Sequence, residues 1–434
     1  MERYEVRPLK CKDIEVTVPG SKSITNRALL LAALTEGQCL LKGALFSDDS
    51  RYFLQSLKDL GFEVNIDEDK RQVLVRGCGG RIPNSTGTIY VGSAGTAARF
   101  LTAMLGLSHG EYIINASEQM KKRPMKPLFD VLKGLGSTIE FLEEEDALPV
   151  RIKGCFADNG AGCEGERRIS LDISKSTQFL SALLMTGCMC KGGLTIDITS
   201  EKKEGSYIDI TKKMVSEFGG NTSFDGTSYH VESKAYTARE YQIEPDVSAA
   251  CYFYGIAAIY GCKALVHNVH FDSTQGDIRF LKVLEQMGCQ VTDTAQGIVV
   301  CGPSREMSEK LHGIEKLDMN NFSDQALTLA NVAIFADSPT TISNIAHIRG
   351  QECDRLNAIA VNLARMGIKA SETEDGITIY PGEIKAAEIE TFEDHRVAMA
   401  FTMSGLGGGG VTILNPMCCR KTFENYFEII DELS

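Results

Sequence analysis

Apolar residues in this chain gather in short Ala- and Leu-rich blocks. Each block is entered through a polar opening and left through a turn signal, and a β-type run follows. The openings are Gly20-Ser21-Lys22-Ser23, Gly92-Ser93-Ala94-Gly95-Thr96, Ser174-Lys175-Ser176-Thr177, Asp246-Val247-Ser248, Ser323-Asp324-Gln325 and Glu393-Asp394-His395-Arg396. The spacing of apolar positions predicts helices over Ala28–Leu34, Ala97–Leu107, Gln178–Thr186, Ala249–Ile259, Ala326–Phe335 and Val397–Leu406. The openings begin at residues 20, 92, 174, 246, 323 and 393, a spacing longer than common solenoid periods and suited to copies of one α/β unit. A helix start offers free N–H groups and positive dipole charge, so each opening is a candidate anion holder.

A second pattern runs in step with the first. Leu57–Gly61, Leu132–Gly136, Val215–Gly219, Leu284–Gly288 and Leu363–Gly367 each read apolar-x-x-apolar-Gly. That is the last turn of an amphipathic helix with glycine at the left-handed C-terminal position. Strands are predicted after them at Phe62–Ile66, Thr138–Phe141, Asn221–Phe224, Gln290–Thr292 and Lys369–Ser371. The unit is therefore helix, strand, helix, strand. Helix–Gly–strand junctions are common in α/β proteins, but here two interleaved repeats share one period. The sixth copy is split: Phe423–Leu433 has no strand after it, and the strands Tyr4–Leu9 and Ile14–Val18 have no helix before them. The chain ends are expected to complete one unit together.

A length of 434 residues suggests two or three domains, and 43% hydrophobic residues supply ample core. A net charge of −13 argues against a nucleic-acid partner, which calls for a basic face. No apolar run is long enough to span a membrane, and the charged start Met1-Glu2-Arg3-Tyr4-Glu5 reads as neither signal nor transit peptide. The 14 cysteines contain no C-x-x-C pair and several lie in apolar segments, so free thiols in a reducing cytoplasm are expected. His267 and His270 lack a third ligand nearby, and no metal is expected. Surface loops are expected at Glu143–Asp146, Asp158–Glu166 and Glu201–Ser206, and a flexible turn at Gly407–Gly410. Gly92-Ser93-Ala94-Gly95-Thr96 lacks the Gly-Lys-Ser/Thr ending of an ATP loop.

The acidic balance hides a cationic set at the openings: Lys22, Arg27, Arg99, Arg123, Arg355, Arg396 and Lys421. Arginine forks suit carboxylate and phosphate, and lysine suits a point charge or a proton donor. Any one of these, taken alone, reads as a solvated face. Two carboxylates lie among them. Asp324 is either a plain N-cap or a proton acceptor, and Glu352 either complements a helix dipole or carries a proton.

In chain order these residues resemble the 5-enolpyruvylshikimate-3-phosphate (EPSP) synthase family over nearly the whole length. The resemblance rests on Pro19-Gly20-Ser21-Lys22-Ser23-Ile24-Thr25-Asn26-Arg27-Ala28, on Gly92–Arg99 and on Asp394-His395-Arg396. Arg123-Pro124-Met125, Ser176–Leu180, Tyr207-Ile208-Asp209, Gln275–Arg279, Asp318-Met319-Asn320, Glu352–Leu356 and Lys421-Thr422-Phe423 add to it. It implies an α/β fold of two similar globular domains, each of three βαβαββ repeat units, an inside-out α/β barrel. One domain would comprise residues 1–20 with 243–434 and the other residues 21–242, closing over an active-site cleft.

The implied reaction moves the enolpyruvyl group of phosphoenolpyruvate to the 5-hydroxyl of shikimate 3-phosphate and releases phosphate, with no cofactor. Glu352 would be the acid/base at C3, Asp324 the base toward the hydroxyl, and Lys22 a bridge to both substrates. Arg123, Gln178, Arg355, Arg396 and Lys421 would hold phosphoenolpyruvate, with Gly95 beside it. Ser23, Arg27, Ser176, Thr177, Gln178, Tyr207, Asp324, His347 and Gln351 would hold shikimate 3-phosphate. The family's inhibitor glyphosate is expected to compete with phosphoenolpyruvate. A monomer in the cytoplasm is expected. Gln351 stands where many members carry lysine, His347 where an amide is frequent, Thr177 for a second serine and Phe100 for proline. Glu204 and Gly205 fall where a serine contact is usual. The alternatives are a UDP-N-acetylglucosamine enolpyruvyltransferase and a non-catalytic phosphosugar-binding repeat protein. The first is disfavoured because Lys22-Ser23 stands where it carries Lys-Asn, the second because Lys22, Asp324 and Glu352 are all present.

Overall fold

The structure is a computed structural model that describes residues 2–10, 13–157, 166–304 and 307–434. Most of the loop expected at Asp158–Glu166 lies outside the described residues. The chain divides into two compact units, one formed by Gly20–Ile243 and the other by the N-terminal segment to Pro19 with Glu244–Ser434.

Each unit holds three small sheets with one recurring plan. In five of the six a first strand pairs parallel with a second, the second pairs antiparallel with a fourth, and the fourth pairs with a third; the sheet of Arg3–Glu5, Val411–Leu414 and Ala387–Ile389 has three strands among the described residues. In the inserted unit the second sheet shows it plainly: Thr86–Tyr90 runs parallel to Glu111–Asn115, which pairs antiparallel with Val150–Lys153, and Thr138–Phe141 lies at the edge. The parallel pair requires a crossover, and the helix Gly95–Gly106 supplies it. The helix Lys126–Gly134 then leads into the antiparallel hairpin. This is the βαβαββ order.

The split unit resolves in an unexpected way. The two N-terminal strands do not stay together. Arg3–Glu5 pairs antiparallel with Val411–Leu414 and so fills the position that the C-terminal helix Tyr426–Leu433 lacks after it. Asp13–Val16 instead runs parallel to Lys263–His267 and supplies the first strand of the fourth repeat. By the same logic Glu240–Gln242 returns to run parallel to Glu36–Lys42 and starts the first repeat of the inserted unit. Each unit thus closes its ring of repeats with a strand distant in sequence.

The repeat helices are the core of each unit. In the inserted unit Lys22–Leu34, Gly95–Gly106 and Gln178–Thr186 pack on one another, and in the terminal unit Val247–Tyr260, Ala326–Ala333 and His395–Gly405 do the same. Their residues are buried nearly all round, as expected for helices enclosed by sheets on every side. The flanking helices Asp48–Asp59 and Arg355–Arg365 bury one face only. All five glycines of the second pattern take left-handed backbone, with φ of 90° at Gly61, 103° at Gly136, 85° at Gly219, 104° at Gly288 and 75° at Gly367. Gln178 and Ala326 begin their helices as expected, and the other four repeat helices begin earlier than the apolar spacing predicts. Lys22, Gly95, Val247 and His395 lie inside their first turns, because polar openings bury against neighbouring helix starts instead of forming loops. Ala326–Ala333 is shorter than expected and is preceded by a 3-10 segment, Asn320–Gln325.

Candidate active site

In the inserted unit the three openings are stitched to one another. Asn26 donates to Thr96 Oγ1 at 2.6 Å. Arg27 donates to Thr211 Oγ1 at 2.8 Å, to Ser181 Oγ at 3.2 Å, and to the carbonyls of Ser23 and Tyr207 at 2.9 and 3.3 Å. Its guanidinium also lies 5.3 Å from the Phe100 ring centroid and 5.7 Å from that of Tyr207. These partners are neutral, so burial dominates and pushes Arg27 down to about 10. A buried cation held only by dipoles favours an anion nearby, and Ser23, Ser176, Thr177 and Tyr207 remain partly exposed in the same unit.

Arg99 is a support. It donates to Gln178 Oε1 at 2.6 Å and to the Pro124 carbonyl at 3.2 Å, over the Phe179 ring. It therefore orients one proposed ligand residue and the segment that follows Arg123. Burial and the charge of Arg123 both hold it well below the usual arginine range. Arg123 donates to the Ser93 carbonyl at 3.4 Å, and its buried Nε has no hydrogen-bond partner among the described residues. A methyl group on Gly95 would lie 2.7 Å from the Arg123 guanidinium. Gly95 thus makes room for the arginine itself. Lys22 Nζ stands 3.4 Å from Oδ2 of Asp49, a carboxylate only 2% exposed that the sequence reading passed over. Ser206, beside Tyr207, opens the helix Ser206–Glu217 directly after Gly205.

The terminal unit gathers carboxylates and cations in alternation. Asp324 sits between Arg355 and Arg396, with N–O distances of 2.8 and 3.1 Å. Arg355 also pairs with fully buried Asp394 at 2.7 Å and donates to Gln351 Oε1. The lysine expected at position 351 is thus replaced by an amide that serves Arg355. Two carboxylates outweigh burial and push Arg355 above its usual range, and Arg355 in turn holds Asp394 below its own against burial. Asp394 caps the helix His395–Gly405 by accepting from the Arg396 N–H at 2.9 Å. Glu352 meets His395 Nδ1 at 3.0 Å and Lys421 Nζ at 3.3 Å. His347 Nε2 lies 2.8 Å from Ser323 Oγ, next to Asp324.

The expectation that every opening holds an anion needs correcting. In the inserted unit the three repeat helices start without a side-chain cap. In the terminal unit Asp246 and Asp394 cap their helices. Those openings carry their own negative charge, and there the cations are side chains. Glu352, Asp394 and His395 also place ligand atoms within 4.8 Å of one another, a spacing a metal could use. Lys421 stands against the same Glu352 oxygen as His395, and an ammonium there competes with any cation. Elsewhere, His267 and His270 face separate carboxylates, Glu15 at 2.8 Å and Asp293 at 2.7 Å. The described cysteines are free thiols. Among the described residues no helix is long and apolar enough to cross a membrane.

Residues 8–430 match the family described as EPSP synthase (3-phosphoshikimate 1-carboxyvinyltransferase). A protein from Nostoc sp. named 3-phosphoshikimate 1-carboxyvinyltransferase is 42% identical over 417 residues, which cover 96% of this chain and 95% of that one. A protein of the same name from Marinomonas sp. is 38% identical over the full length of both. An EPSP synthase structure from Acinetobacter baumannii superposes with a TM-score of 0.80 at 26% identity, covering 100% of this chain and 98% of its own. The enolpyruvyl transferase NikO from Streptomyces tendae, at 14% identity and a TM-score of 0.76 over 99% and 96% of the chains, shares the fold. Six α/β repeat units, lysine or arginine at several of their openings and a full-length match to one family lead to one assignment: this chain belongs to the EPSP synthase family.

Proposed function

We propose that this protein transfers the carboxyvinyl group of phosphoenolpyruvate to the 5-hydroxyl of shikimate 3-phosphate and releases inorganic phosphate. The observation that carries the reading is the terminal unit's pairing of two separate acid/base sets, Asp324 with Arg355 and Arg396, and Glu352 with His395 and Lys421. An addition–elimination needs two proton handlers of this kind. In the first step Glu352 gives a proton to C3, Asp324 takes the hydroxyl proton, and the oxygen bonds to C2. In the second step the C–O bond to phosphate breaks, the leaving phosphate takes up the proton that Asp324 had accepted, and C3 returns its proton to Glu352. Lys421 and His395 beside Glu352 stabilise its ionised form after it gives up the proton. Arg123, Gln178, Arg355, Arg396 and Lys421 hold the phosphoenolpyruvate anion, with Gly95 beside Arg123. Lys22, Ser23, Arg27, Ser176, Thr177, Gln178, Tyr207, His347 and Gln351 hold the acceptor, with Asp324.

The test is phosphate release from phosphoenolpyruvate with shikimate 3-phosphate, with UDP-N-acetylglucosamine, and with no acceptor. Release with the first alone is the expected result. Release with the nucleotide sugar would move the protein to the rival transferase, and binding without release would make it a phosphosugar-binding protein. The reading also carries a monomeric cytoplasmic enzyme, which sedimentation and cell fractionation check.

A further inference from the structure

A second buried carboxylate stands behind Asp324. Asp277 lies in the 3-10 turn Gly276–Arg279 and is 6% exposed. Its Oδ2 accepts from Ser248 Oγ and from Gln325 Nε2, the latter at 2.9 Å. Gln325 Oε1 in turn accepts from Thr328 Oγ1 at 2.9 Å. Gln275, two residues earlier, accepts from the Val247 N–H at 3.2 Å. One short segment therefore ties the first turn of Val247–Tyr260 to the residue that follows Asp324. That tie matters because Asn320–Gln325 is not a regular helix: Phe322 departs to φ −147° and ψ 40°. A bent segment needs side-chain anchors to aim the carboxylate it carries.

The charge of Asp277 has no ion pair at hydrogen-bond range in the network just described. Burial and then the charge of Asp324 raise it to about 6, against the pull of Arg396 and the hydrogen bonds from Ser248 and Gln325. The groups that face it are Asp324 from the 3-10 segment, Arg396 from His395–Gly405 and Cys251 from Val247–Tyr260, whose thiol also feels the charge of Asp246. Pairwise Coulomb energy is reciprocal, so Asp277 acts on Asp324 as Asp324 acts on Asp277.

We propose that Asp277 is a positioning residue for the reaction, anchoring Gln325 so that Asp324 stays aimed and presenting to Asp324 a second negative charge that strengthens it as a base. The inference rests on the assignment of Asp324 as the hydroxyl base. Asp277→Asn keeps the shape and removes the charge. Its kcat at neutral pH should fall by about threefold or more, the loss that about half a pKa unit of base strength allows at a Brønsted slope near one. The sign of the pH effect is fixed: a like charge raises a carboxyl pKa, so its removal moves the acid limb of kcat to lower pH, by about half a unit or more. Michaelis constants for both substrates should change much less than kcat. A fall in kcat with the acid limb in place would make Asp277 a structural residue only, and an unchanged kcat would also overturn the proposal. Gln325→Met cuts the link and leaves both charges. It should lower kcat and keep the acid limb, and an unchanged kcat there overturns the anchoring even if Asp277→Asn does not fold. Asp324→Asn run beside them separates the two levels. If it keeps wild-type turnover, the base assignment fails and this inference with it. If it is inactive while Asp277→Asn is normal, only the inference fails.

Discussion

Gly95→Ala tests whether the start of the second repeat helix is shaped around Arg123. Gly95 is the first residue of Gly95–Gly106 and is absent from the positive-φ glycines, so alanine meets no backbone strain there. Helix propensity favours the change by at most about 1 kcal/mol, which for a domain of this size holds Tm or raises it by about 2–4 °C. The added methyl, however, would lie 2.7 Å from Arg123 Nη1 and 2.8 Å from Cζ and Nη2, where ordinary contact begins at 3.4 Å. The guanidinium must therefore retreat by roughly 0.7 Å, the difference between those distances. A charge-assisted hydrogen bond contributes ~1.5–3 kcal/mol, so losing about half of one raises KM for phosphoenolpyruvate by roughly 3- to 13-fold. The assay is phosphate release at saturating shikimate 3-phosphate, with thermal unfolding on the same sample. Glyphosate, a longer zwitterion, has less freedom to follow the displaced guanidinium, so its inhibition constant should rise more than that KM. A cycle with Arg123→Lys should show strong non-additivity, because both changes act on one group. Gly92→Ala is the contrast. Gly92 has φ of 57° and its Cβ would meet the Tyr52 ring at 2.4 Å, so that variant should lose stability. A folded Gly95→Ala protein with normal KM, or additive effects in the cycle, would refute the coupling of Gly95 to Arg123.

Lys22→Met should leave circular dichroism intact, lower Tm because buried Asp49 loses a cation 3.4 Å away, and remove nearly all turnover. Normal turnover in the folded variant takes Lys22 out of the mechanism. Glu352→Gln should bind both substrates yet stop deuterium entry into the phosphoenolpyruvate methylene, with a loss of about 10²–10⁴-fold, the usual worth of a placed acid/base group. Exchange at the normal rate assigns that proton elsewhere. Asp324→Asn should collapse turnover while calorimetry finds phosphoenolpyruvate bound as tightly as before or more tightly, since Asp324 occupies Arg355 and Arg396. Weaker binding would mean that Asp324 holds the arginines in shape and does not compete for them.

The repeat plan was legible because it is local. Helix ends at Gly61, Gly136, Gly219, Gly288 and Gly367 announce themselves through a residue type that alone tolerates their backbone, and the apolar blocks mark buried helices. Strand exchange at the chain ends was half legible. The missing strand after Tyr426–Leu433 predicts a donor, but nothing local says that Arg3–Glu5 and Asp13–Val16 go to different sheets. At the site, cationic openings stood out against an acidic chain. Asp49 and Asp277 did not, and Asp394 and His395 stood out only as part of a motif, since an acid at a helix start reads first as a cap. Asp394 is indeed a cap as well as the partner of Arg355, and only tertiary pairing reveals the second task. Arg27 and Arg99 were both legible as cations, but their commitment to neutral partners was not.

In the proposed reaction the terminal unit's charges let one set of residues serve binding and proton transfer in turn. Asp324, Asp394 and Glu352 face Arg355, Arg396 and Lys421, with His395 between two of the acids. The carboxylates differ in commitment. Asp394 is fully buried and also caps a helix, so its removal would strand Arg355. Asp324 is 13% exposed and meets Arg355 and Arg396 at ion-pair distance. It is therefore the one that an incoming carboxylate or phosphate can displace. Displacement costs Asp324 two stabilising cations, and a carboxylate that loses cations binds a proton more strongly. On the proposed reading, an anionic substrate seated on Arg355 and Arg396 would therefore strengthen Asp324 as a base in the same movement, and weaker phosphoenolpyruvate binding by Asp324→Asn would refute that step.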